Sequence, residues 1–176
     1  MWIVVGVIVA AVVIYFAVSG GLPQRPSGTQ TPEGTVAVTG TSPIAPSGEV
    51  IAPSGKPAEN NSVPGSPTAP QQSAPIASAD VPPQAIKLTV TAAGFSPSSF
   101  TVSAGKAVTV SLTSGDEQTH VFRFDDASLN AVAIGVGPGQ TRVISFNAPA
   151  QAGTYTFHCD VPGHTARGET GSMTVR

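Results

Sequence analysis

The densest chemistry in the sequence lies in Tyr155-Thr156-Phe157-His158-Cys159-Asp160-Val161-Pro162-Gly163-His164, which sets a thiol and an imidazole on either side of a four-residue turn. On an extended strand Tyr155, Phe157 and Cys159 share one face, so the thiol is directed with two aromatic rings towards an apolar interior while His158 faces away. Pro162 and Gly163 turn the chain so that His164 folds back towards Cys159. A third donor has to come from elsewhere, and His120 is the candidate, because it opens a run in which Phe122 and Phe124 share its face. A soft thiolate with two imidazoles suits copper in both oxidation states, and a trigonal set of this kind with a weak axial donor suits electron transfer. Zinc accepts the same donors.

Simpler readings of Cys159 exist. A single cysteine is most often a buried core thiol. A thiol beside an imidazole is also a hydrolase signature, but no orienting third group or oxyanion loop accompanies this pair. Cys159 is the only cysteine, so no intramolecular disulfide forms, and a lone thiol in an exported chain calls for a role such as metal ligation.

These residues need strands to hold them. After Ala85 the sequence alternates with period two: Ile86, Leu88 and Val90 are interleaved with Lys87 and Thr89, and Val108, Val110 and Leu112 follow the turn at Ala104-Gly105. Further runs over 100–103, 120–124, 141–146, 153–159 and 171–176 make about seven strands. Gly- and Pro-bearing turns separate them, as in an all-β Greek-key sandwich or barrel. Residues 127–132 have room for one or two helical turns. Gly135-Val136-Gly137-Pro138-Gly139 reads as a turn, because no helix N-terminus follows to cradle a phosphate.

The N-terminal half is different. Residues 1–18 carry no charge and are nearly all apolar, at the lower edge of the roughly 17 to 25 residues that cross a bilayer. Trp2 and Tyr15 suit the two interfaces, which favours an uncleaved single-pass anchor over a signal peptide cut near Ala17, Ser19 and Gly20. Residues 19–84 hold 13 of the 17 prolines and read as a Pro/Ser/Gly-rich disordered linker. Within it Ile44-Ala45-Pro46-Ser47-Gly48 returns as Ile51-Ala52-Pro53-Ser54-Gly55. The net charge of −2 comes entirely from residues 1–84, and residues 85–176 carry six acidic and six basic side chains. No basic patch is present to track a phosphate backbone, so nucleic acid is not an expected partner.

Residues 85–176 resemble the cupredoxin family, which includes plastocyanin and azurin. The resemblance rests on Gly94-Phe95-Ser96-Pro97, Phe100-Thr101-Val102, Ala104-Gly105, Thr119-His120-Val121-Phe122, Pro138-Gly139-Gln140-Thr141, Gly153 to Cys159 and Pro162-Gly163-His164. It implies one copper per domain, cycling between Cu(I) and Cu(II), with His120, Cys159 and His164 as equatorial ligands. It also implies a non-enzymatic carrier of single electrons between redox partner proteins. With the apolar segment, it places the copper domain on the periplasmic or extracellular side of the cell membrane. One position departs from the pattern. Where such proteins usually carry an axial Met, this chain has Glu169, within Gly168-Glu169-Thr170-Gly171. As a ligand, Glu169 stabilises Cu(II) and opens the way to a red or green centre, as in nitrosocyanin. As a bystander it faces solvent, and the axial position is empty or filled by a carbonyl near Gln118. Met173 lies on the final strand and reads as core, and His158 reads as exposed. Copper storage, delivery or sensing, and a catalytic red-copper centre, are the alternative functions.

Overall fold

The structure, a computed structural model, describes residues 40–176. The apolar segment 1–18 and the first part of the linker lie outside the described residues, and no described helix is long and apolar enough to cross a membrane.

Nine strands form two sheets. They are β1 (Ile86–Thr91), β2 (Gly94–Ser96), β3 (Ser99–Val102), β4 (Ala107–Ser114), β5 (His120–Phe124), β6 (Ala133–Val136), β7 (Thr141–Asn147), β8 (Gly153–Cys159) and β9 (Thr170–Val175). One sheet has the order β2-β1-β4-β7 and the other β3-β9-β8-β5-β6. Seven strands coincide with the alternating runs. The two additional ones are β2, whose three residues are too few to display a period of two, and β6, whose four residues are alternately buried but include Gly135 and run into the Gly137-Pro138-Gly139 turn. Only Ala127–Leu129 of the 127–132 stretch is helical, as one 3-10 turn whose first amides are capped by Asp126.

Alternation puts Leu88, Val90, Val110, Leu112, Phe122, Phe124, Ile144, Phe146, Phe157, Cys159 and Met173 into one buried cluster between the sheets. Phe122, Phe146 and Phe157 are fully buried, each worth about 1.5–3 kcal/mol relative to exposure. Phe157 makes an edge-to-face pair with Phe95 at 5.1 Å and a tilted one with Phe122 at 4.7 Å, directly beneath Cys159. Met173 pairs with Tyr155, whereas Cys159 lies four positions along the same strand. At about 3.3 Å per residue that separation puts Met173 in the core, far from the thiol.

Residues 40–84 are where the linker reading fails. They are not free chain: Gln72 and Ile76 bridge to Ile144 and Thr141 of β7, Ser73 N donates to Val143 O at 2.8 Å, and Val143 N donates to Ser73 Oγ at 3.0 Å. Asn60 Nδ2 donates to Asn147 O, and Val50 N donates to Asn147 Oδ1. Gln72 also reaches β6, accepting from Gly135 N at 2.9 Å. Val50, Ala52 and Ala69 are buried. Each copy of the Ile-Ala-Pro-Ser-Gly repeat is a tight turn, with Gly48 N donating to Ala45 O and Gly55 N to Ala52 O, and with Ile44 paired to Val50 and Ile51 to Pro57. Such a segment needs little apolar surface of its own, because it satisfies its backbone on a sheet edge that already exists.

Candidate metal centre

Two elements build the site. The β5–β8 pairing sets Phe122 opposite Cys159, which brings His120 to the same end of the sandwich. The β8–β9 connection supplies the other two residues. After Cys159 the chain turns, His164 N donates to Val161 O, and a single 3-10 turn spans Thr165–Arg167. Gly168, at φ 97°, then reverses the chain so that Cys159 N donates to Glu169 O at 2.9 Å. A side chain with a Cβ adopts that φ only under strain, which is why glycine stands there. Gly171 on β9 meets a second constraint, since a Cβ there would overlap the Phe157 ring and the Ser98 carbonyl.

The result is a convergence of four donors: one ligand atom from each of His120, Cys159, His164 and Glu169, all within 4.8 Å of one another. Cys159 Sγ lies 3.4 Å from His164 Nδ1 and 3.8 Å from His120 Nδ1. Glu169 Oε2 lies 2.8 Å from His120 Nδ1 and 3.0 Å from His164 Nδ1. His120, Cys159 and Glu169 are fully buried, and His164 is 9 % exposed. Glu169 therefore turns inwards and not to solvent. His158 lies on the opposite face, half-buried and bonded through Nδ1 to Asp125.

The donors fit a copper ion. One sulfur, two imidazole nitrogens and one carboxylate oxygen satisfy both oxidation states. Of the two sulfur–nitrogen spacings, that to His120 falls within the roughly 3.5–3.8 Å expected around one ion with bonds of about 2.0–2.3 Å, and that to His164 falls just below it. The oxygen–nitrogen spacings are those of hydrogen bonds, so Glu169 would draw back a few tenths of an ångström to share an ion.

The electrostatics act in opposite directions on the two acidic donors. Burial pushes the Cys159 thiol up, the Val121 and Val161 N–H groups oppose this, and the Glu169 carboxylate adds to the rise. Ligation has to displace that proton, so metal affinity weakens in acid. Burial works against the charge of Glu169, but hydrogen bonds from His120, Arg167, Cys159 and His164 outweigh it and hold the carboxyl below its ordinary range.

Three residues around the donors have side-chain roles that the sequence does not assign, Gln118 entering it only as the neighbour of a carbonyl. Arg167 donates to Glu169 Oε1 at 2.6 Å and, through both Nη atoms, to Gln118 Oε1 at 3.1 Å, which leaves Glu169 Oε2 for the imidazoles. Asp116 Oδ1 lies 3.0 Å from His120 Nε2. The available signal is slight: Gly115-Asp116-Glu117-Gln118 is a polar turn directly before a strand that opens on a ligand.

Comparison with known proteins places the chain in a family. Residues 68–170 match the family model of the cupredoxin-like domain. The chain is 36% identical over 88 residues to Plastocyanin A/B of Petroselinum crispum, covering 46% of this chain and 86% of that protein. Among solved structures it is similar to the auracyanin of Roseiflexus castenholzii, at 26% identity and a TM-score of 0.47 over 53% of this chain and 97% of that one. Auracyanin A of Chloroflexus aurantiacus, titled a "blue" copper protein, gives 24% identity and a TM-score of 0.47, covering 52% of this chain and 98% of its own.

Proposed function

The chain belongs to the cupredoxin-like family, whose metal is copper, and from that premise we propose that it is a mononuclear copper protein carrying single electrons, tethered to a membrane through residues 1–18 with its copper domain on the extracytoplasmic side. The observation that carries this reading is the buried convergence of Cys159, His120, His164 and Glu169.

Copper bound there supplies one-electron redox chemistry between Cu(I) and Cu(II). The residues supply the rest. Cys159 Sγ accepts a hydrogen bond from Val121 N at 3.4 Å, which fixes the sulfur. Thr165 Oγ1 donates to Cys159 O at 2.9 Å and ties the ligand loop to the end of β8. Phe122 and Phe157 close the site from below and exclude water. His164, the least buried of the four donors, forms the edge through which a partner protein approaches.

Glu169 favours a second reading. A buried carboxylate held by Arg167 makes the site one negative charge richer than a thioether would, which stabilises Cu(II). Copper storage, delivery or sensing, or small-molecule chemistry at a red centre, then competes with rapid carriage of electrons.

The test is the visible and electron paramagnetic resonance spectrum of the Cu(II)-loaded chain beside Glu169→Met. A red or green wild type that becomes intensely blue in the variant, with a higher reduction potential, identifies Glu169 as a ligand. An intense blue band with reversible reduction, unchanged in the variant, makes it a bystander and leaves electron transfer as the function. Loss of tight stoichiometric copper binding is expected in Cys159→Ser, and its retention overturns every copper reading. Carbonate extraction of membranes from cells expressing the chain, with N-terminal sequencing, separates an anchor from a cleaved signal.

A further inference from the structure

Both nitrogens of the His120 ring face carboxylates, and only one of these belongs to the ligand set. Nδ1 faces the donor cluster and Glu169. Nε2, on the far side, lies 3.0 Å from Asp116 Oδ1. Asp116 is itself held in place: Gln118 N donates to its Oδ1 at 2.9 Å and Ala92 N to its Oδ2 at 2.8 Å. Ser114 Oγ donates to the carbonyls of Asp116 and Gln118 and braces the same loop without touching the imidazole.

From this we infer that Asp116 is a positioning residue for copper. Its carboxylate takes the Nε2–H of His120, which fixes the tautomer with the Nδ1 lone pair towards the metal and makes the ring a stronger donor. Carboxylates placed behind metal-bound imidazoles act this way, and their loss typically costs about 10- to 100-fold in metal affinity. A richer nitrogen donor favours Cu(II) over Cu(I), so Asp116 holds the reduction potential down. The inference rests on His120 being a ligand and is independent of whether Glu169 is one.

The experiment uses the full chain as wild type, Asp116→Asn, Ser114→Ala and His120→Gly, each loaded with Cu(II). Three quantities are measured: Cu(II) affinity by competition with a chelator, reduction potential by voltammetry, and pulsed electron paramagnetic resonance of the remote imidazole nitrogen. Asp116→Asn keeps an oxygen within reach of Nε2 but removes the charge. It is expected to weaken Cu(II) binding about 10- to 100-fold, raise the potential and alter the remote-nitrogen signal. Ser114→Ala loosens the loop and is expected to leave that signal in place. An unchanged affinity and signal in Asp116→Asn overturns the role, as does an equal change in Ser114→Ala, which would assign the effect to the loop. If His120→Gly binds copper with the wild-type spectrum, the ligand assignment fails and the role of Asp116 falls with it, whereas loss of that spectrum in His120→Gly beside an unchanged Asp116→Asn overturns the role of Asp116 alone.

Discussion

Asp116 also leaves a mark on the metal-free protein. The hydrogen bond from His120 is the largest cause holding its carboxyl at about 2 against an ordinary 3.8. A carboxylate with a depressed value stabilises the fold above its unfolded pKa, and that contribution is lost as pH falls through the folded value. Its share is therefore complete above about pH 4 and disappears towards pH 2. The drop in pKa sets an upper bound of about 2 to 3 kcal/mol, which solvent screening reduces because the Asp116 side chain is 24 % exposed. Urea denaturation of the metal-free chain across that window is expected to lose stability more steeply in wild type than in Asp116→Asn, with the two curves drawing together towards pH 2 and meeting below it. Parallel curves would show that the bond contributes nothing to folding. At this scale the donors were legible and their supports were not. Cys159, His164 and Glu169 sit in one short run whose turn residues declare themselves. Gln118 and Arg167 find their roles only through a contact between loops 49 positions apart, and Asp116, four positions before His120, only once its own turn closes.

The β8–β9 hairpin couples packing to chemistry. Gly171 lies opposite Phe157, and Phe157 lies two positions before Cys159 on the same face. Gly171→Ala would push a methyl group into the Phe157 ring and the Ser98 carbonyl. Overpacking of this kind costs about 1–3 kcal/mol, and displacement of the ring is transmitted to the thiol. Chemical denaturation should record the loss, and the copper spectrum should broaden or shift with it. A variant with wild-type stability would show that the ring moves aside freely. The long strands were legible because one buried face forces alternation over five or more residues, and the four-residue β3 because Phe100-Thr101-Val102 stands just before the Ala104-Gly105 turn. β2 escaped because it has three residues. β6 escaped because Gly135 and the Gly137-Pro138-Gly139 turn that follows give its four residues the texture of a loop.

For the whole molecule, the folded unit takes in residues 40–84 as well as residues 85–176. Composition alone marks residues 40–84 as unable to build a core, and that remains true. It does not follow that they stay unfolded, since β7 offers them an edge and Asn147 offers them partners. A chain cut to residues 85–176 is expected to melt at a lower temperature than one starting at residue 40 and to self-associate, because the β7 edge is left unpaired. Thermal unfolding and size-exclusion chromatography of the two chains decide the matter. Equal melting points and monodisperse profiles would show the segment to be dispensable.

Three of the four donors, Cys159, His164 and Glu169, occupy eleven consecutive positions at the mouth of one hairpin. The sandwich itself contributes only His120. Metal preference and redox character are therefore written on a replaceable cassette: exchanging the residues between Cys159 and Gly171 alters the ligand field while the core layers, the strand register and the N-terminal segment stay as they are.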